Sequence, residues 1–477
     1  MTDWLSSLRA IPEGVTHAAS LIGALDEAFA VGFGRLGVEQ LRALDALGRA
    51  CGGTPLARPV SDALAAMKRS ELVEKHFLAL AAARAALQGA QHDALLAQAA
   101  AALGRPAAAE PPALAEDAQA AASHHEVWLE SARQWLMEIA IAGFLQLGPE
   151  TLLPFATTLE KLQGERALVR PAALLTGLFN ELGAALPIAA LTEPPIFRWV
   201  DLWSRAMVLA ARPPLPPRAQ AVTGDLAVLG VDLRQHGNFA SAVAWGLLTV
   251  EAGKPPRLVR ATVSSFKVDV LTGTEVWGLF KAPARTLMTG IAKRSTLKVK
   301  GMSLSSTGDL AWDDKRAEVG GAVSALDLAA AWLAPGGAGV ALPPAQAALD
   351  RHPAQIAEAV FLQGYKAVGR SAGAGGAAEL TLASGSSLPI AAERLTDQLD
   401  FTGDDVARSE KMVGLLRFDA GRWALQPLSF AVAGKKPQVF TAGFTGASAA
   451  AGGDAGGKDG ALGTLRERAG KLLRAKT

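Results

Sequence analysis

Arg212-Pro-Pro-Leu-Pro-Pro-Arg218 divides this 477-residue sequence into two regions of different periodicity. Four prolines in seven residues cannot propagate a helix and favour a stiff, extended connector. Upstream, apolar residues recur at helical spacing. Leu41, Leu44 and Leu47 share one face, with Arg42, Asp45 and Arg49 on others. Ser61-Asp62 reads as the N-cap of a helix running through Met67, Leu72 and Phe77 towards Leu87. A further helix is expected from about Ser123, burying Val127, Trp128, Trp135, Ile139 and Phe144, and ending at Gly148-Pro149. Helices are also expected over 150–162, 172–186 and 196–211.

Downstream the period changes to alternation. Residues 258–270 are rich in β-branched side chains, and 275–280 read as a strand returning from a turn at 271–274. Residues 297–300, 302–304, 378–382 and 388–390 have strand character, while 323–333 and 345–365 read as helical. The clearest hairpin joins 412–418 to 423–428 through Asp419-Ala-Gly-Arg422, with Pro427 placing its second strand at an edge or near an end. The expected class is α+β and multidomain: an all-α N-terminal region followed by a strand-rich α+β C-terminal region. The expected boundaries are a helical domain at 1–211 with an internal linker at 104–117, a Pro-rich hinge at 212–218 and a strand-rich region at 219–445. A flexible Gly/Ala linker at 446–463 and a basic amphipathic tail at 464–477 complete the chain. The charge balance changes at the same place: 18 basic and 22 acidic residues over 1–220, then 29 and 23 over 221–477.

Composition narrows the function. Half of the residues are hydrophobic, which supports packed cores rather than wholesale disorder. A net charge of +2 argues against a globally basic protein, and a single cysteine, Cys51, against disulfide frameworks, zinc ribbons and iron–sulfur clusters. The N-terminus lacks a secretory pattern, and a cytoplasmic location is expected. The best membrane candidate, 171–191, contains Asn180, Glu181 and Pro187 and reads as buried helices.

The motifs with chemical content fail on context. Gly32-Phe-Gly-Arg-Leu-Gly37 matches a dinucleotide fingerprint, but the residues before it read as helix, so a helix-to-helix turn is expected. Every Gly-Lys pair is followed by Pro, Lys, Asp or Leu, which removes the P-loop. The adjacent His124 and His125 would point about 100° apart on a helix, a poor geometry for one metal. Ser264–Lys267 and Ser295–Lys298 have the Ser-Lys hydrolase spacing, but they lie in strand-like segments without partner motifs. No catalytic, cofactor or metal residues are assigned.

One constellation stands out. Ten basic and two acidic residues fall between Lys254 and Lys300, interleaved with Phe266, Trp277 and Phe280. Cations with aromatics on strands suit single-stranded nucleic acid, and cations alone suit an acidic protein partner. Alternation sets Phe266 and Lys267 on opposite faces and so assigns Phe266 to the core. That favours a protein partner, with Lys267, Lys281, Arg285, Lys293, Arg294, Lys298 and Lys300 as its binding residues.

Val413-Gly-Leu-Leu-Arg-Phe-Asp419 and Trp423-Ala-Leu-Gln-Pro-Leu428, within 412–432, resemble a C-terminal segment of uncharacterised bacterial accessory proteins. Those proteins accompany SWIM zinc-finger proteins, MoxR-type AAA+ ATPases and von Willebrand A proteins in gene neighbourhoods. The resemblance implies an accessory subunit of an ATPase-driven system, with an AAA+ ATPase or a SWIM zinc-finger protein as partner. With one Cys and no Walker motif, this chain would be neither the zinc protein nor the ATPase. The expected function is a non-enzymatic assembly or adaptor subunit of a bacterial cytoplasmic system. The alternative is a nucleic-acid-binding protein using 254–300.

Overall fold

Gly-Phe-x-x-Leu-Gly-x-Glu occurs twice, at 32–39 and 143–150, an offset of 111 residues. The computed structural model shows what the repetition builds. It describes residues 3–106, 125–188, 195–212, 219–236, 239–267, 271, 273–337, 339–340, 348–368, 379–394, 401–432, 434 and 438–451. The N-terminal region contains α1 (Val15–Val31), α2 (Val38–Ala50), α3 (Ala57–Met67), α4 (Glu74–Leu103), α5 (Glu126–Ala142), α6 (Pro149–Leu152), α7 (Ala156–Gly164), α8 (Val169–Ala185) and α9 (Ile196–Ala211).

Each copy of the motif ends a 17-residue helix, makes one 3-10 turn and starts the next helix. The expected helix-to-helix turn at 32–37 is therefore present. The two halves pack reciprocally. The turn after α1 sits against α5, the turn after α5 sits against α1, and α4 and α9 meet between them. Phe33 meets Phe77 edge-on at 5.4 Å, and Phe144 meets Trp199 in the same way at 5.2 Å. Gly32 (φ 95°) and Gly143 (φ 78°) touch backbone to backbone at the exchange point. Arg84, 1% exposed, ties the halves together. It makes paired bonds to Asp26 on α1 (2.8 and 3.0 Å), and bonds to Asp201 (3.3 Å) and the Phe197 carbonyl (3.0 Å) on α9. Burial pushes the Asp26 carboxyl above its usual range even so.

Several helix expectations change: α5 ends at Ala142 because Gly143 turns the chain, so Phe144 and Gly148 lie beyond it, and 150–162 is broken by a 3-10 turn at Leu153–Phe155 that contains Pro154. The chain breaks at 68–73, with Ser70 at φ 59°, so 61–87 is two helices rather than one. Val127 is exposed because it points away from the face that Trp135, Ile139 and Phe144 bury. The membrane candidate is largely α8, whose inner face is core, and no helix among the described residues is long and apolar enough to cross a membrane.

The strand-rich region contains β1 (Ala219–His236), β2 (Phe239–Thr249), β3 (Arg257–Phe266), α10 (Arg285–Lys293), β4 (Ser295–Ser305), β5 (Asp309–Ala311), β6 (Ala317–Ala322) and α11 (Ala325–Trp332). It continues with β7 (Glu358–Gln363), β8 (Tyr365–Val368), β9 (Glu379–Leu382), β10 (Ser387–Pro389), α12 (Gly403–Ala407), β11 (Ser409–Asp419), β12 (Arg422–Val432), β13 (Gln438–Thr441) and α13 (Phe444–Ala451). The chain is thus α+β, helical first and strand-rich second. Residues 275–280 form a 3-10 helix instead of a returning strand, because Val276, Trp277 and Phe280 are all buried at helical spacing. Within 345–365, two 3-10 turns and β7 replace the expected helix. The apolar run 359–362 is buried by pairing with β11, which overrides local preference.

The strand pairing closes two barrels. In the first, the order is β1-β2-β3-β5-β4, and β4 pairs again with β1. All pairs are antiparallel except β3 with β5, and α10 lies between β3 and β4 in sequence. That is the connectivity of a five-stranded Greek-key OB barrel. The second repeats the plan. β7 and β8, separated only by Gly364, act as one bent first strand: β7 pairs with β11 and β8 with β9. β9 pairs with β10, α12 follows, β11 pairs with β12, and a parallel bridge from Ile390 to Leu425 closes the ring. Pro427 sits opposite Gly414 at a bulge, which accommodates a proline inside a paired strand. The chain then returns to the first barrel, where Ala447 and Ala450 of α13 join its core. Gly446 to Ala451, expected in a linker, thus belongs to α13. Residues 107–117, 213–218 and 452–477, which hold most of the expected linkers and tail, and His124, lie outside the described residues.

The two helical halves cannot tolerate a side chain where they cross. A Cβ on Gly143 would lie 2.5 Å from the Gly32 nitrogen and the Val31 carbonyl oxygen, on a backbone at positive φ. Gly143→Ala is expected to destabilise by about 3 kcal/mol or more. Gly53→Ala (φ 74°, open space) carries only the strain of about 1 kcal/mol. Urea denaturation of both variants checks the difference.

Candidate functional site

β2 reads Phe239-Ala-Ser-Ala-Val-Ala-Trp245. Its alanines face the tight barrel interior and its larger residues face out. Register then fixes the outer face row by row. His236, Phe239 and Phe266 form the first row; Arg234, Ser241 and Ser264 the second; Asp232, Val243 and Thr262 the third. Trp245 and Arg260 follow. The lower rows are covered: Val243 and Trp245 pack in one cluster with Phe361, Val413, Leu415 and Leu428 of the second barrel. The upper rows are open. Phe239 is 40% exposed and Phe266 77%, and their rings meet nearly perpendicular (81°) at 5.6 Å. Ser241 and Ser264 hydroxyls lie 2.8 Å apart beside them.

Phe266 is therefore not core, contrary to the alternation reading. The reason is that β3 has its interior face filled by Val259, Ala261 and Val263, which leaves Phe266 in step with the outward residues. Trp277 and Phe280 do lie in the core. The seven expected binding cations come from four places along the chain. Lys267 follows Phe266 at the end of β3. Lys281 follows the 3-10 helix, and Arg285 opens α10. Lys293 and Arg294 close α10; Arg294 donates to the Val439 carbonyl (2.6 Å) and lies over the Phe444 ring. Lys298 and Lys300 are on β4, with Lys300 paired to Glu318 at 2.8 Å. Only Lys267 adjoins the aromatic rows. Arg234 and His236, which also flank them, come from β1, outside the basic segment. The alternation of Ala with larger residues in β2 was the available signal for this face.

Beneath the rows, Asp232, Arg417 and Gln426 close a buried ring between the barrels. Arg417 donates to Asp232 (3.1 Å) and to Gln426 (2.8 Å), and the Gln426 amide donates back to Asp232 (3.0 Å). Arg234 adds a bond of 2.8 Å to Asp232. Burial works against the Asp232 charge, yet Arg234, Arg417 and Gln426 hold its carboxyl below the usual range. Burial pulls the Arg417 guanidinium down to about 10.

The equivalent face of the second barrel serves as an internal comparison. Its rows are Lys366, Thr381 and Ser387, then Val368, Glu379 and Pro389. They carry no aromatic ring. Among the described residues, no three His, Cys, Asp or Glu side chains are placed to share a metal ion. Comparison with family models, curated proteins and solved structures returns no match for the chain.

Removing one member of the buried ring strands a charge. Arg417→Met is expected to cost about 3–5 kcal/mol by urea denaturation. Because folding lowers the Asp232 pKa, its contribution is present above the unfolded value of 3.8 and is lost as pH falls through the lower folded value. Asp232→Asn is therefore expected to flatten the acid limb of a stability–pH curve.

Proposed function

We propose that this chain is a non-catalytic binding protein that holds single-stranded nucleic acid across the outer face of β1, β2 and β3. One observation carries the reading: two exposed phenylalanines pair across the β2–β3 face of an OB barrel, the face that such barrels use for oligonucleotides. The fold alone does not assign a ligand, but the outer rows differ between the two barrels, and among the described residues the rings stand in the rows of the first. Bases stack on aromatic faces with little sequence preference. Rings at 81° to each other cannot both lie parallel to a regular base-pair stack, which favours unstacked, single-stranded bases. Arg234 and Lys267 at the margin supply cations for phosphates, and the His236 ring and the Ser241–Ser264 hydroxyls supply further donors. The cover over Val243 and Trp245 confines the strand to the upper rows.

The test is a fluorescence-anisotropy titration of the full chain with a labelled oligothymidylate of about 16 nucleotides. Phe239→Ala and Phe266→Ala are each expected to weaken binding by roughly fivefold to a hundredfold. Val368→Ala, on the second barrel, is expected to leave it unchanged. Affinity should fall with salt at a slope near −0.7 per phosphate engaged. Absence of binding at low salt, or binding indifferent to both ring substitutions, would overturn the reading. A protein partner retained by the chain under those conditions would favour an assembly subunit instead.

A further inference from the structure

The aromatic rows run up to the helical region, and one feature at that border is built like an anion site. Arg198 of α9 directs Nε (2.9 Å) and Nη2 (2.7 Å) at Oε1 of Glu181 on α8, and its Nε also reaches Oε2 at 3.0 Å. Nε2 of His236, at the end of β1, approaches the same oxygen at 3.0 Å. Oε2 takes the Trp199 indole N–H at 3.2 Å. Thus three nitrogen positions on two elements from different regions converge on one carboxylate oxygen. His236 is also the first residue of the row that holds Phe239 and Phe266. Arg198 and His236 are 42% and 66% exposed, so solvent reaches both side chains, while Glu181 is only 15% exposed. Phe197, next to Arg198, is 66% exposed as well. Burial works against the Glu181 charge, and Arg198 with His236 more than offsets it.

We infer that Arg198 and His236 form a backbone-phosphate position of the nucleic-acid path, and that the Glu181 carboxylate holds that position as an internal competitor. The inference rests on the reading of the first barrel as a single-strand binder. The chemistry is exchange of one oxyanion for another. A phosphate presents the same acceptor oxygens to a guanidinium fork and an imidazole N–H as a carboxylate does. A nucleotide backbone entering beside Phe239 arrives within reach of His236, whose Cα is the register partner of Phe239. The helical region would then contribute directly to binding, and Glu181 would lower affinity by keeping the Arg198 guanidinium neutralised and the His236 ring occupied.

Glu181→Gln separates the two parts. The amide keeps an oxygen for the Trp199 N–H and removes the charge that competes with phosphate. With the full chain and labelled oligothymidylate, Glu181→Gln is expected to bind roughly three- to tenfold tighter, with a salt slope steeper by about 0.7. The gain should vanish for a methylphosphonate-linked oligothymidylate, whose backbone is neutral, and for Glu181→Gln combined with Arg198→Gln. Circular dichroism and thermal melting confirm that the variants are folded. If the wild type binds and loses affinity on Phe239→Ala, yet Glu181→Gln is unchanged or binds both backbones better, the phosphate position is overturned and the platform stands. If neither wild type nor Glu181→Gln binds the charged oligonucleotide, the platform reading falls, and the phosphate position falls with it. If Glu181→Gln unfolds, Arg198→Gln in the wild-type background decides. It is expected to lower both affinity and salt slope, and an unchanged slope overturns the inference.

Discussion

An 18-residue strand, β1, has hydrogen-bonded partners on both edges. Its first half pairs with β4 and its second half with β2, with register shifts at Val222/Gly224 and Val228/Gly230 where the strand bends. A sheet closes on itself only if one strand serves both ends of the order, and closure removes the open edges that would otherwise invite aggregation. The same constraint is met a second time by β7 and β8, which split the task at Gly364. Once β1 is committed on both edges, the outward set on its second half is fixed, and with it the row that ends in His236, Phe239 and Phe266.

The two barrels then diverge by what covers them. β1, β2 and β12 bury a shared apolar cluster with α11 between the barrels, and the Asp232–Arg417–Gln426 ring satisfies the polar groups trapped there. A buried ring of this kind contributes little net stability against an apolar alternative, but it penalises any other alignment of the barrels. The second barrel takes a different cover. Trp4, Leu5 and Leu8 from the N-terminus and Leu95, Ala99 and Leu103 from α4 join its core, and Arg105 pairs with Glu358 at 3.0 Å. The helical region is thus packed against the second barrel and touches the first at Glu181, Arg198 and His236. The aromatic rows lie beside that second contact.

Duplication appears at two scales. The helical region repeats one plan with an offset of 111 residues, and its halves meet where two glycines remove every side-chain atom from the crossing. A repeat of half a domain has a longer period than the 20–50 residues of a solenoid unit. The fingerprint-like glycines at 32 and 37 belong to that crossing and to the start of α2, and the second copy at 143 and 148 does the same for α5 and α6. Their glycine content reflects close helix contact and not a pyrophosphate cradle.

The sequence by itself determined the change from helical to alternating period near 212–218, the hairpin of β11 and β12, and the glycine turn at 32–37. These follow from local rules: proline geometry, side-chain period and turn chemistry. It also singled out Phe266 and a basic segment. Tertiary structure alone decided how those residues were used. Whether Phe266 faces in or out depends on which face of β3 the barrel encloses, and that is set by its pairing with β2 and β5 and by closure of the sheet between β1 and β4. The seven expected binding cations of 254–300 were divided among the end of β3, the end of the 3-10 helix, α10 and β4. Arg198, Arg234 and His236 were brought to one border by packing of the helical region on β1, a contact with no local trace, since neither charge nor period records which distant surface an exposed cation will face.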